Sequence, residues 1–192
     1  KTKQDVMKTP TNNAEAYEYY LRAKSIYRIF DSKAENNEIA RGLLYKAIKL
    51  DINLFEAKLL LGKTYLYVFN GWDNRKENLI KAEQIFTEAL IKAEQKDELK
   101  WIAIFLNELA LCAIEYNDRD LAEGLDNEYY DRSIELTNRA LNLAKTINNN
   151  SILGNSLDRL GVMALRRKDY NHALQYFNDV LQIIRETGDE IE

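Results

Sequence analysis

Apolar and small residues recur along this chain at helical spacing, and the segments that carry them come in pairs. Near the C-terminus, in SLDRLGVMALRRKDYNHALQYFNDVL (residues 156–181), Leu157, Leu160, Gly161 and Ala164 fall on one face of a first helix. A turn at Lys168 and Asp169 follows, after which Ala173, Phe177 and Val180 line one face of a second helix. The pattern predicts a helical hairpin in which Gly161 and Ala173 let two backbones approach while larger side chains fill the space around them. The second-helix triplet occurs three more times, as Ala40, Leu44 and Ala47, then Ala82, Phe86 and Ala89, then Ser133, Thr137 and Ala140. Each triplet follows a helix with a small residue of its own, Ala23, Gly62 and Ala110 in turn. Four hairpins, hence eight helices, are expected.

Caps and breakers place these helices. The first starts at Thr11, Asn12 and Asn13 and runs to about Phe30; the second covers about 37–50. Asn53 is positioned to cap the third, which runs from about Leu54 to the stop at Asn70-Gly71. Asp73 caps the fourth, to about Gln95, and Asp97 the fifth, to about Tyr116. A long connection over 117–127, with a turn around Leu121, leads to a sixth helix over about 128–147. Ser151 opens the seventh, and the eighth spans about 170–186, ended by Gly188.

The best-formed unit, with Leu-Gly in its first helix and Ala, an aromatic and a small apolar residue in its second, resembles a tetratricopeptide (TPR) repeat. The resemblance implies an all-α, right-handed solenoid of about four antiparallel hairpins. Residues 1–13 then form an N-terminal arm, 14–188 a single domain with repeats at about 14–53, 54–96, 97–148 and 151–188, and 189–192 a tail. The array departs from the regular pattern in two ways. From the small residue of the first helix to that of the second is 12 residues in the last hairpin but 17, 20 and 23 in the first three, so their turns are extended. The Pro that usually closes a unit is also missing, since the chain has a single Pro, Pro10.

In such a stack each hairpin buries its apolar face against the next, and the first helices line a concave surface where ligands bind. The groove-facing positions are then Tyr20, Lys24, Tyr27 and Arg28, followed by Leu59, Lys63 and Tyr67, by Asn107, Leu111 and Glu115, and by Asp158, Arg159, Val162 and Arg166. Aromatics interleaved with Lys and Arg suit an extended acidic or amphipathic peptide. Each Tyr, in a chain with 12 of them, also reads as half-buried packing. TPR proteins that clamp a chaperone's carboxylate tail use Lys and Asn, then Asn, then Lys and Arg on successive first helices. The corresponding residues here are Tyr20 and Lys24, Leu60, then Ile104 and Glu108, so that clamp is absent.

Composition narrows the chemistry. With one His and one Cys among 192 residues, neither a zinc site of the usual ligands nor a disulfide framework can be built within the chain, and no cofactor is expected. Positive and negative residues, 27 and 31, are interspersed, which leaves no basic stripe for nucleic acid. No stretch approaches the roughly 20 apolar residues of a membrane span. An unpaired Cys112 suits a reducing, cytoplasmic compartment, and it reads as a core thiol. His172, three residues after Asp169, has no positioned nucleophile beside it and reads as a surface group. Trp101 is expected to anchor the fifth helix, and Trp72, in NGWDN, to be an exposed aromatic that is a candidate contact residue. The chain therefore reads as a non-enzymatic module that binds a protein or peptide.

Residues 14–68, with AEAYEYYLRAKSIYRIF, a long turn and ARGLLYKAIKLDINLFEAKLLLGKTYLY, are also similar to the TPR segment behind the catalytic domain of bacterial class III adenylate/guanylate cyclases and related signalling regulators. That similarity implies a regulatory or dimerisation segment without cyclase chemistry of its own. The start at Lys1, without Met, reads as the edge of an excised segment. At the other end Phe177, Val180, Leu181, Ile183 and Ile184 spread beyond the single apolar stripe of a terminal helix. The face containing Phe177, Leu181 and Ile184 is thus expected to be covered, by further repeats or by a second chain end to end.

Overall fold

A computed structural model describes residues 9–27, 34–71, 75–122 and 128–188. The described residues form eight α-helices and no strand: α1 Ala14–Tyr27, α2 Ala34–Leu50, α3 Phe55–Gly71, α4 Lys76–Gln95, α5 Leu99–Ala122, α6 Glu128–Thr146, α7 Asn150–Arg166 and α8 Tyr170–Thr187. The protein is all-α, as the spacing of its small residues predicts. Trp72, Asp73 and Arg28 lie outside the described residues. α5 runs past the expected end at Tyr116 to Ala122 because 117–122 contain neither Gly nor Pro, so nothing in the backbone opposes continuation.

Small residues sit where helices meet. Ala23 and Ala110 are completely buried, as are Ala40, Leu44 and Ala47 of α2, Ala82, Phe86 and Ala89 of α4, and Ser133, Thr137 and Ala140 of α6. In α8 only Ala173 of the corresponding triplet is buried; Phe177 and Val180 are half-buried. The chain divides into two compact units at Ile85 and Phe86, within α4. In the first, α1 packs on α2, α2 on α3, and α1 also touches α3. Arg41 fastens α2 to α3: its Nε donates to Thr64 Oγ1 at 3.1 Å and its Nη2 to the Thr64 carbonyl at 2.9 Å. In the second unit α5 packs on α6, α6 on α7, α7 on α8, and α5 reaches α7 directly. Phe86 of α4 meets Phe105 of α5 at 6.3 Å between ring centroids, and Trp101 stacks on Phe105 at 5.8 Å within α5.

Three turns repeat one design. Asp97, Asn148 and Lys168 all have positive φ, at 55, 51 and 61°. After each, the next amide reaches back to an alanine carbonyl, Glu98 to Ala93 at 3.0 Å, Asn149 to Ala144 at 2.9 Å and Asp169 to Ala164 at 2.9 Å. These are Schellman closures, which satisfy the last carbonyls of one helix and turn the chain directly into the next. Asp97 is therefore the left-handed residue of its turn instead of the cap of α5, and Glu98 opens that helix through its carbonyl, which accepts from Ile102 N at 3.0 Å. The cap of α7 is Asn149, whose side chain accepts from Ile152 N at 3.0 Å, two residues before Ser151.

The start of α1 is tied to the end of α2. Asn13 Oδ1 accepts from Ala16 N at 3.0 Å, its Nδ2 donates to the Leu50 carbonyl at 3.3 Å, and Thr11 Oγ1 donates to Asp51 at 2.5 Å. Asp51 also accepts from Asn53 N at 2.8 Å. Asn53 does not cap α3: its Oδ1 is buried with no hydrogen-bond partner among the described residues.

At the last hairpin the fit is tightest. A Cβ placed on Gly161 would lie 2.7 Å from Phe177 Cε1, below van der Waals contact. Gly161→Ala is expected to destabilise the fold by about 1 kcal/mol, even after the roughly 1 kcal/mol that Ala gains in a helix interior. In a Phe177→Ala background the same change becomes stabilising, which urea unfolding of the four proteins measures. Lys168 carries an unfavourable left-handed backbone without the side-chain compensation available to Asn or Asp. Lys168→Gly is expected to raise stability by about 0.5–1 kcal/mol, and Asn148→Gly to change it little, in the same assay.

Candidate binding face

The first helices of the second unit, α5 and α7, are held together by polar side chains. Asn107, only 4% exposed, donates from Nδ2 to Ser156 Oγ at 2.9 Å, and Ser156 passes its own hydrogen to the Ile152 carbonyl at 2.9 Å. One residue further along α5, Glu108 pairs with Arg159 at 3.6 Å, with side chains just 9 and 16% exposed. Charges removed from water attract more strongly, but each has lost hydration, so the arrangement tolerates the loss of neither partner. Arg159 Nε is buried with no acceptor among the described residues. This seam leaves Leu111, Glu115 and Val162 half-buried beside it and presents Asp158 and Arg166 to solvent.

In the first unit α1 and α3 supply the corresponding side chains. Tyr20 is 8% exposed and stacks on Tyr17 at 6.1 Å, so it builds the face from within. Lys24 is exposed, its ammonium 5.9 Å from the Tyr20 ring, at the outer limit of cation–π attraction. Tyr27, Leu59 and Lys63 are half-buried; the Tyr67 side chain and all of Arg28 lie outside the described residues. Sequence spacing therefore groups helices that do touch, α1 with α3 and α5 with α7, but does not separate presenting residues from supporting ones. Tyr20 and Asn107 turn inward, and Arg159 is committed to Glu108.

Two aromatic–guanidinium contacts had no signal in the helical spacing. The Arg41 guanidinium lies 3.7 Å over the Tyr65 ring, to which Lys81 also points at 5.5 Å, and Tyr45 and Tyr65 share a hydrogen bond at 3.1 Å. Burial lowers the Arg41 pKa, against the opposing pull of the two tyrosines and Glu38. In the second unit Arg167 stacks over Tyr130 at 3.6 Å, and burial raises the Tyr130 pKa although the guanidinium opposes the rise. Both pairs join consecutive helices or hairpins, and each arginine has one planar face against a ring.

His172 Nδ1 lies 2.6 Å from Asp169 Oδ2, and this hydrogen bond holds the Asp169 carboxyl below its ordinary value, but both side chains are largely exposed. Cys112 is buried, at 1% exposure. Among the described residues no three His, Cys, Asp or Glu side chains converge as metal ligands, and no helix is long and apolar enough to cross a membrane. Neither the models of known protein families nor the curated proteins include a match to this chain.

The seam separates two kinds of residue on one face. Asn107→Ala leaves Ser156 without its donor and is expected to cost about 1–2 kcal/mol. Asp158→Ala, on the exposed side, should stay within about 0.5 kcal/mol; urea unfolding of both variants provides the comparison.

Proposed function

We propose that the chain is a TPR-like array whose first-helix face binds a peptide or protein partner, a non-enzymatic module of a larger bacterial signalling protein in the cytoplasm. The observation that carries this reading is the polar seam between α5 and α7. Asn107, Ser156, Glu108 and Arg159 fix two first helices side by side, so that the side chains along them form a preorganised surface. Ordering such a surface in advance lowers the cost of binding. Leu111 and Val162 give it apolar area, Arg166 and Asp158 give it charge, and in the first unit Lys24 and Lys63 flank Tyr20 and Leu59. An amphipathic peptide with acidic side chains fits the mixture that each unit presents on its own first helices.

A display library of random peptides selected on the purified chain tests the reading. Binders enriched in acidic and apolar residues are expected, with affinity weakened at least tenfold by a Lys24→Glu/Lys63→Glu or an Arg166→Glu change that leaves the melting temperature intact. A selection that yields no binders, or binders indifferent to all of these changes, contradicts it. A second reading, a regulatory segment of an adenylate/guanylate cyclase, draws on the resemblance of residues 14–68 and on the apolar side chains that α8 leaves open. It assigns the chain a coupling role, with self-association in place of peptide capture.

A further inference from the structure

A shift of 40 residues carries α6 onto α8, superposing Ser133 on Ala173 and bringing Tyr130, Ile134 and Leu141 onto Tyr170, Leu174 and Leu181. Their surroundings differ. On α6 the three are half-buried and pack against a cluster of Ile114, Leu160 and Met163 joined by Tyr176, most of it supplied by the following hairpin. On α8 the same three positions are 62, 62 and 47% exposed. Single exposed apolar residues are ordinary, but a stripe whose counterparts are covered is a packing surface without its neighbour. The other stripe of α8 is already used, since Ala173 is buried and Phe177 rests on Gly161. Of the residues expected to form the end contact, Phe177 and Ile184 are half-buried and Leu181 is open; Tyr170 and Leu174 extend the open stripe.

We propose that a second copy of this chain covers the stripe, α8 lying antiparallel on α8 about a twofold axis between Phe177 and Asn178. The stripe is self-complementary in that register. Leu174 of each copy meets Leu181 of the other, and Tyr170 of each meets Arg185 of the other. The second pairing repeats a solution the fold already uses, because Tyr130, the counterpart of Tyr170, is capped by the Arg167 guanidinium at 3.6 Å. A one-turn shift one way places Leu174 against Arg185 and Leu181 against Asn178. The other way it places Leu181 against Tyr170 and Leu174 against Phe177, which is already packed on Gly161. The register that pairs the leucines with each other therefore buries most of the open apolar surface. Symmetry makes every contact occur twice. A helix of 18 residues is about 27 Å long and gives a contact at the small end of stable interfaces, so dissociation in the micromolar range is expected. The proposal rests on α8 alone and stands or falls independently of the first-helix face.

Sedimentation equilibrium of the full chain, at concentrations on the order of 100 μM, tests it first. A dimer is expected, and Leu174→Glu/Leu181→Glu, at exposed positions that leave the monomer's circular dichroism and melting unchanged, should raise its dissociation constant at least tenfold. Oxidative cross-linking then tests the register: Asn178→Cys, beside the axis, is expected to link two chains, whereas Tyr170→Cys is not, since the copies of residue 170 lie at opposite ends of the helix pair. A wild-type monomer at these concentrations, a dimer indifferent to the two glutamates, or cross-linking at 170 in preference to 178 would each overturn the proposal.

Discussion

Helix backbones in this chain meet at residues too small to hold them apart, and the rest of the architecture follows from that contact. An Ala, Gly or Ser at the crossing lets the backbones approach and the larger neighbours interdigitate. Gly161 is the limiting case: the Phe177 ring occupies the space its Cβ would take. Because each of these contacts joins neighbouring helices, stability is built locally, pair by pair, and what happens at one end of the chain need not be felt at the other.

Local construction leaves two kinds of surface with different duties. Along the first helices the seam of Asn107, Ser156, Glu108 and Arg159 places polar groups inside, where each needs its partner and where a small shift would strand a buried charge. That requirement makes the face rigid and leaves its outer side chains available for recognition. On α6 an apolar stripe is consumed by the following hairpin, whereas on α8 the same positions are open, and the half-open triplet of α8 is the trace of that difference.

The helices were legible in the sequence because small residues seven positions apart return to the same side of a helix, two turns on, where a neighbouring backbone can approach. The turns were not. Asp97, Asn148 and Lys168 occupy a backbone conformation that Gly usually announces, and hydrogen bonds to Ala93, Ala144 and Ala164 maintain it without that signal. The end of α5 lies beyond the expected one for a related reason, since a polar run reads as a connection unless a breaker is demanded. The candidate binding face was half legible. Helical spacing selects the side of a helix but does not report depth, so buried Asn107 and Tyr20 looked the same as exposed Lys24 and Arg166. The partner of Asn107 sits 49 residues away, which no local pattern encodes.

The most direct test of pairwise, locally built packing is amide hydrogen exchange compared between α6 and α8 as the protein concentration is raised. Helices covered on both sides should exchange only through large-scale opening, whereas one with an open side should also exchange through its own smaller opening. The expected result is strong protection of α6 at every concentration, with weaker protection of α8 that rises as chains associate. Equal protection of the two helices in dilute protein, unchanged on concentration, would contradict the account.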